Sequence, residues 1–259
     1  MAGAPEPVPA LRAPIVLAHG LLGFARIAVR GRTVAEYFRG VPALLEGAGN
    51  RVLVPEVPKA ASIAARAGAL AGAIRAGAGD AAVHVIAHSM GGLDARYLVT
   101  HLGARVLTLT TIGTPHRGTA FADWGLRHAE RAGLTPWLRR QGIEHAAFAD
   151  LGTGACARFN ERTPDAPGVR YFSIAGEKPR EAMLYALRYS QDVIAPAEGP
   201  NDGLVSVRSA RWGESLDVWD CDHFNLVGWT GPRERFLGHD RDVRPLYTAL
   251  VRRLAGLGF

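Results

Sequence analysis

The sequence predicts an α/β protein with a mostly parallel, doubly wound sheet, and three observations support this. Short apolar runs rich in Val and Ile recur along the chain and end at glycine or polar residues. Stretches with apolar residues at helical spacing separate these runs. The chain has 259 residues, 48% of them hydrophobic, which is enough for one sizeable core and few for two. Strands that alternate with helices favour parallel pairing through right-handed crossovers.

The N-terminal half alternates regularly after a proline-rich segment, residues 1–10, that we expect to be a disordered tail. Strands are predicted at "PIVLAHG", "RVLVP", "AVHVIAH" and "RVLTLTTIG". Helices are predicted near residues 36–47, at "SIAARAGALAGAIRAGAG" and at "MGGLDARYLVTHL". The second of these has low complexity, but apolar residues recur at helical spacing after Ser62, which suits an N-cap.

The C-terminal half departs from this alternation at about residues 116–167, where polar stretches mix with aromatic residues and leucines such as Trp137 and Leu138. We expect an inserted helical cap there. The sheet resumes at "VRYFSIAG", an irregular excursion leads to "NDGLVSV", and "SLDVWDCDHFNLVGW" precedes a final helix at about residues 241–254. The sequence has no internal repeat or linker, so residues 11–259 are expected to form a single domain.

Composition narrows the classes of partner. The formal net charge is +6, but the arginines are scattered among Glu and Asp and form no basic stripe, so a nucleic-acid partner is not expected. No apolar stretch approaches the ~18 residues of a membrane-spanning helix. The N-terminal residues show no signal peptide, which slightly favours a cytoplasmic location over secretion. Cys156 and Cys221 permit one disulfide without implying it.

The stretch "AHSMGG" places Ser89 between a predicted strand and a predicted helix. Ala87 and Gly91, two residues on either side, leave room for a sharp turn that exposes the hydroxyl. A serine hydroxyl is a poor nucleophile without a base, an acid that orients the base and donors for the developing oxyanion. The alternative is a turn with a purely structural role.

The stretch "HGLLGF" follows the first strand and supplies a candidate donor. A glycine turn there can direct the backbone N–H of Leu21 towards the same point as the N–H of Met90, which begins the helix after Ser89. Two such donors would form an oxyanion hole. An ordinary turn at the end of a strand is the alternative interpretation.

The order serine, acid, histidine is typical of hydrolases with a serine on this kind of turn. His223 in "DHFN" lies in a loop and is the better candidate base, whereas His239 lies in a charged stretch. Asp202 in "NDGLVS" follows a long excursion from the sheet, where a loop carboxylate could reach a histidine. Three other aspartates are rivals: Asp192, Asp220 and Asp222.

Together, "HGLLGF", "AHSMGG", "TIGTPHRG", "NDGLVSV" and "DHFN" resemble the true bacterial triacylglycerol lipases of the α/β-hydrolase superfamily, the group that includes the Pseudomonas and Burkholderia enzymes. The resemblance covers most of residues 14–229. It implies an α/β-hydrolase fold and ester hydrolysis through an acyl-enzyme. It assigns Ser89 as nucleophile, Asp202 as acid, His223 as base, and the N–H groups of Leu21 and Met90 as the oxyanion hole. The Trp, Phe and Leu content of the cap favours medium or long acyl chains.

The sequence differs from that family at a calcium-binding position and at a disulfide position. Those lipases usually hold a structural calcium through aspartates, one of them two residues after the catalytic histidine, where this chain has Asn225. Residues 177–192 offer no clear second aspartate, so we expect no cofactor, with a structural calcium left as the alternative. Arg208 stands where many relatives carry a disulfide cysteine. A bridge between Cys156 and Cys221 would be a different pairing.

Other functions remain open. The same acyl-enzyme could serve a thioesterase or an acyltransferase, and a noncatalytic binding protein could retain the fold. The expected partners are a lipid or other ester substrate and a transient contact with a lipid interface; the oligomeric state is not predicted. Four polar residues near the motifs are expected to have structural roles: His19, His88, Asp94 and Arg96. The aromatic residues of the cap would form either a lid or simple packing over the sheet.

Overall fold

Six parallel strands form the central sheet of this computed structural model, which describes residues 7–21, 23, 26–29, 32–131 and 148–259. Their spatial order is β4-β1-β5-β6-β7-β8. These strands are β1 (Ile15–Ala18), β4 (Val52–Leu53), β5 (Val83–His88), β6 (Val106–Ile112), β7 (Arg170–Glu177) and β8 (Leu216–Asp220). A separate antiparallel hairpin is formed by β2 (Arg26–Val29) and β3 (Arg32–Glu36).

Helices occupy most of the connections between the strands. They are α1 (Val41–Gly47), α2 (Ile63–Ala78), α3 (Met90–His101), α4 (Ala120–Arg131), α5 (Thr153–Arg162), α6 (Arg188–Glu198), α7 (Val207–Ala210), α8 (Pro232–Phe236) and α9 (Arg244–Gly256). Short 3-10 turns lie at Tyr185–Leu187 and Asn225–Val227. None of the helices among the described residues combines the length and the apolar character that crossing a bilayer requires.

The two faces of the sheet carry separate apolar cores because successive strand residues point in opposite directions. In β1, Ile15 and Leu17 pack in a core that includes residues of α1 and α9. Val16 and Ala18 pack on the other face with residues of α2 and α3. Helices therefore cover both faces, and the prediction of a parallel, doubly wound sheet is confirmed.

The helix predicted in the low-complexity stretch is present as α2. The side chain of Ser62 accepts a hydrogen bond from Ala65 N at 3.4 Å, as an N-cap does. Leu70 and Ile74, from the predicted apolar stripe, are buried against the sheet. Most of the other residues of this helix are Ala or Gly, and their small side chains allow the helix to lie close to the strands.

Several boundaries differ from the sequence prediction. The helix expected near residues 36–47 begins only at Val41, with Pro42 in its first turn, because the residues up to Glu36 belong to β3. The strand expected at "RVLVP" is reduced to the two residues of β4. The irregular excursion before "NDGLVSV" contains α6, and the last helix begins at Arg244.

The structure describes only part of the N-terminal tail and only part of the predicted cap. Of the tail predicted to be disordered, residues 7–10 contact the folded domain: Val8 packs against the core, and Asn50 Nδ2 donates to Pro9 O at 2.9 Å. The described part of residues 116–167 contains α4 and α5. Trp137 and Leu138 lie outside the described residues. Cys156 and Cys221 are both buried and free.

Candidate active site

Ser89 lies on the turn between β5 and α3 in a strained backbone conformation. Its φ of 56° and ψ of −133° make it the one non-glycine residue with a positive φ among the described residues. Such a conformation costs of order 1–3 kcal/mol and persists only where the surroundings hold it. Here Ser89 N donates to Ile112 O at 2.9 Å, while Ser89 O accepts from Gly92 N at 3.0 Å and Thr114 Oγ1 at 2.8 Å.

The residues on either side of the serine explain why this turn fits. A Cβ atom on Gly91 would lie 2.7 Å from His19 O and 2.8 Å from Ala18 O, so only glycine lets α3 start so close to β1. Ala87, in contrast, is buried in the core that β5 shares with α2 and α3. Its methyl group packs there, which accounts for alanine at the position where the general motif has glycine.

Asp202 and His223 form a buried hydrogen-bonded pair. His223 Nδ1 lies 2.8 Å from Asp202 Oδ2, and His223 is 4% exposed while Asp202 is fully buried. The other carboxylate oxygen accepts from Leu204 N at 2.9 Å and Val205 N at 2.7 Å. A second bond, from His223 N to Asp202 O at 2.8 Å, ties the two backbones together. A carboxylate only accepts hydrogen bonds, so this contact places the proton on Nδ1 and leaves Nε2 as an acceptor.

The rival acids have other partners. Asp222 is buried but accepts from three backbone N–H groups, those of Leu184, Phe224 and Asn225, at 2.9–3.1 Å. Burial raises the pKa of its carboxyl group. The other two are on the surface: Asp192 pairs with Arg180 at 2.6 Å, and Asp220 pairs with Arg241 at 3.3 Å. His239 contacts none of these aspartates; its carbonyl oxygen accepts from the Lys178 ammonium at 3.2 Å.

Ser89 and His223 line one large cavity of about 1070 Å³. Leu21 lines it as well. Most of the other lining residues are apolar: Pro115, Phe121, Ala122, Phe148, Leu151, Leu184, Leu204, Val205, Phe224, Val227, Trp229 and Pro232. Three charged residues, Glu36, Arg39 and Arg235, also contribute. The candidate serine and histidine therefore face a space suited to an apolar ligand.

Both candidate oxyanion donors lie on turns beside this serine. Met90 is the first residue of α3, and the first N–H groups of a helix have no acceptor within the helix. Leu21 lies in a tight turn closed by a bond from Gly23 N to Gly20 O at 3.2 Å. The neighbouring residues of the predicted motif, Leu22 and Phe24, lie outside the described residues.

Tyr37 and His88 lie behind the candidate site; the sequence predicted a structural role for His88 but did not identify Tyr37. The Tyr37 hydroxyl accepts from Gly20 N at 3.2 Å and lies 2.8 Å from His88 Nδ1. The His88 ring centroid is 4.5 Å from that of His223. Burial, together with the nearby His223, holds the pKa of His88 well below its ordinary value, so His88 stays neutral beside the candidate base.

The remaining polar residues near the motifs have structural partners, as expected. Asp94 forms a buried ion pair with Arg66 at 2.7 Å. Arg96 donates to Asn160 Oδ1 at 2.7 Å and stacks over the Trp212 ring at 3.6 Å. His19 Nε2 accepts from the backbone N–H of Val57 at 3.3 Å.

The residues around Asn225 do not fit a calcium ion. The Asn225 side-chain oxygen, which stands where related lipases are expected to supply an aspartate, accepts a hydrogen bond from the Lys178 ammonium. An ammonium group at this point repels a divalent cation. Among the described residues there is also no group of three or more His, Cys, Asp or Glu side chains that could hold a metal ion.

The sheet order, the strained serine and the buried Asp–His pair define an α/β-hydrolase fold. Among solved structures, the mature form of lipase BlEst2 from Bacillus licheniformis has a TM-score of 0.70 at 23% sequence identity. That match covers 96% of this chain and 94% of the other. At this level of identity the likeness shows the fold alone.

Sequence relatives identify the family. The chain is 33% identical over 246 residues to triacylglycerol lipase 2 of Saccharomyces cerevisiae, covering 86% of this chain and 74% of the relative. It is 35% identical over 297 residues to a triacylglycerol lipase of Pseudomonas fragi, covering 95% and 97%. No family model matches the chain. On these relatives, the chain belongs to the triacylglycerol lipase family and is a carboxylic ester hydrolase.

Proposed function

We propose that this chain hydrolyses esters of medium and long acyl chains, including triacylglycerols, with Ser89 as nucleophile, His223 as base and Asp202 as acid. One observation carries this proposal: the strained serine and the histidine of a buried Asp–His pair line the same largely apolar cavity of about 1070 Å³. The relatives named triacylglycerol lipases support the substrate class.

The proposed reaction has two halves. His223 Nε2 takes the proton from Ser89 Oγ as Oγ attacks the ester carbonyl carbon, and Asp202 keeps the imidazole in the required tautomer. The N–H groups of Leu21 and Met90 stabilise the negative charge on the carbonyl oxygen. The C–O bond then breaks, and the alcohol leaves with the proton from His223. Water repeats the sequence on the acyl-enzyme, releasing the carboxylic acid and restoring the Ser89 hydroxyl.

The cavity supports a preference for longer acyl chains. Ligand sites usually have volumes of roughly 300–1000 Å³, and this cavity, at about 1070 Å³, is slightly larger. Burying one methylene group is worth about 0.8 kcal/mol, which corresponds to a roughly fourfold rise in kcat/KM for each carbon. We expect kcat/KM to rise in this way from the acetyl ester until the chain fills the cavity.

The test is hydrolysis of p-nitrophenyl esters from acetyl to palmitoyl, and of an emulsified triacylglycerol, by the parent and by Ser89→Ala. The matched control is Ser62→Ala, because Ser62 also precedes a helix but lies outside the cavity. We expect Ser89→Ala to lose at least ~10⁴-fold in kcat and Ser62→Ala to retain it.

Other outcomes would contradict specific parts of the proposal. Activity of Ser89→Ala within tenfold of the parent would exclude Ser89 as nucleophile. Serine-dependent turnover restricted to acetyl and butyryl esters would overturn the proposed acyl preference. Hydrolysis of thioesters without hydrolysis of matched oxygen esters would favour a thioesterase instead.

A further inference from the structure

Lys178 lies in a place where a lysine is rarely found. It follows β7 and is 7% exposed, whereas Lys59, the only other lysine of the chain, is on the surface. A buried ammonium group loses its hydration and is tolerated only where hydrogen bonds and opposite charge replace the water. Its contacts therefore indicate what it stabilises.

Those contacts join three segments of the chain. The Lys178 ammonium donates to the side-chain oxygen of Asn225 and to His239 O, the latter at 3.2 Å. Asn225 lies two residues after His223 in the same loop. The ammonium thus connects the end of β7 both to the loop that carries His223 and to the segment after α8.

Asn225 also forms hydrogen bonds to other residues of the same loop. Its Nδ2 donates to Trp229 O at 2.7 Å and to Thr230 Oγ1 at 3.2 Å, and its backbone N–H donates to Asp222 Oδ1 at 2.9 Å. The Asn225 side chain therefore holds residues that follow His223, and its backbone N–H holds Asp222, the residue before His223. Because the Asn225 oxygen accepts from Lys178, the orientation of that amide depends on the ammonium.

The charge balance of this region also favours an internal cation. Asp222 is buried one residue before His223, and the positive charge of Lys178 opposes the rise in the pKa of its carboxyl group that burial causes. One buried positive group and one buried carboxyl group therefore lie on either side of Asn225. A bound divalent ion would add two charges beside the ammonium, and the Coulomb repulsion would oppose it.

We infer that the Lys178 ammonium is a built-in cation that holds the His223 loop in place without a metal ion, which makes Lys178 a positioning residue. The oxygen atoms of Asn225 and His239 that converge on this point are already satisfied by N–H donors of the chain itself. The stability part of this inference is independent of the proposed function, whereas its effect on turnover rests on His223 acting as the base.

The test compares the parent with Lys178→Met, with Lys59→Met as control because it removes the same charge from an exposed site. Tm and p-nitrophenyl ester kinetics are measured for each in excess EDTA and in excess calcium chloride. We expect the Tm of the parent to agree within about 1 °C between the two solutions, since only an ion that binds the native state raises Tm.

In Lys178→Met, the acceptors of Asn225 and His239 lose a donor in a buried place, and we expect Tm to fall by roughly 5 °C or more. We expect kcat to fall about tenfold with little change in KM, because the base is displaced while the cavity remains. Lys59→Met should match the parent in both measurements.

A calcium-dependent rise of several degrees in the Tm of the parent would overturn the inference. Equal Tm and kcat for Lys178→Met and Lys59→Met would overturn it as well. If Lys178→Met does not fold, the comparison of EDTA with calcium on the parent still tests the absence of a metal ion, and Lys178→Arg, which keeps a cationic donor, tests the positioning role. Lys178→Arg should fold and keep kcat closer to the parent, and a tenfold loss of kcat with an unchanged Tm would count against that role. A parent without esterase activity would count against the proposed function and leave the Tm comparison intact.

Discussion

Gly113 brings the backbone of β6 directly against the Asp202–His223 pair. It has a φ of 55°, and its N–H donates to Ile174 O at 2.8 Å across the sheet. A Cβ atom at this position would lie 3.1 Å from Asp202 Oδ2 and 2.7 Å from Leu226 Cδ1. The residue after β6 must therefore lack a side chain both for its own conformation and for the position of the candidate acid.

Gly113→Ala separates these two requirements when it is compared with Gly103→Ala. Gly103 has a φ of 66°, but nothing lies within 4 Å of a Cβ placed there. Both variants should lose about 1–2 kcal/mol in free energy of unfolding from the left-handed conformation, measured by urea denaturation. Only Gly113→Ala should also lose kcat, by roughly 10–100-fold, because it displaces the Asp–His pair.

Equal ester kinetics for these two glycine variants would show that Gly113 contributes only its conformation. A larger stability loss for Gly113→Ala than for Gly103→Ala is expected in addition, because the Leu226 side chain must move. The kinetic comparison is therefore made at a temperature at which both variants are folded.

Individual catalytic residues can be predicted from a sequence where the chemistry restricts both the residue type and the order along the chain. Ser89, Asp202 and His223 were chosen in that way, and the Asp202–His223 contact is present. Tyr37 and Lys178 could not be found, because each acts on a partner far along the chain: Tyr37 on His88, and Lys178 on Asn225. A tyrosine or a lysine by itself is compatible with many roles, and only the fold shows which one applies.

At the scale of elements, one buried ion pair fixes α2 against α3 and β1. Arg66 on α2 and Asp94 on α3 are 2.7 Å apart, with side chains 0% and 2% exposed. Arg66 also donates to His19 O at 2.8 Å and to Pro58 O at 2.5 Å. The guanidinium thus links α3, which begins with the candidate donor Met90, to the turn after β1, which carries the candidate donor Leu21.

Removing this cation should be costly. Arg66→Met leaves the Asp94 carboxylate buried without its partner, and such a loss typically costs about 3–5 kcal/mol in free energy of unfolding. Arg75→Met is the matched control, because Arg75 lies on the same helix with an exposed side chain. Urea denaturation of both should show a change within about 0.5 kcal/mol for the control. A similarly small change for Arg66→Met would mean that Asp94 finds another partner or takes up a proton at little cost.

Elements with clear periodicity were predicted from the sequence, whereas the hairpin of β2 and β3 and helix α6 were missed. Strands β5, β6 and β7 and helices α2 and α3 show long apolar patterns and appear where expected. The hairpin of β2 and β3 was missed because its strands have only four and five residues and lie outside the main sheet. Helix α6 was missed because it contains Pro196, which normally predicts the end of a helix.

At the scale of the whole molecule, several buried histidines link stability to pH. His84, His88 and His116 are fully or almost fully buried, and burial lowers the pKa of each. For His84 the value falls from 6.5 to about 4. The folded protein therefore keeps these rings neutral at a pH at which the unfolded chain has already taken up protons.

These lowered pKa values make the free energy of unfolding depend on pH. Because the unfolded state binds more protons below pH 6.5, the free energy of unfolding should fall as the pH is lowered, by about 1.4 kcal/mol per pH unit for each such histidine. For His84 this contribution extends down to about pH 4. Urea denaturation between pH 7.5 and pH 5 should show this decline in the parent.

His84→Gln isolates one of these contributions. Glutamine can still bond to Thr108, whose hydroxyl lies 2.9 Å from His84 Nδ1, but it does not titrate. The slope of unfolding free energy against pH should therefore be shallower than that of the parent by about 1.4 kcal/mol per pH unit below pH 6.5. His101→Gln makes the same change at an exposed position. Identical slopes for His84→Gln and the parent would mean that water reaches His84 and that the ring is protonated within the folded protein.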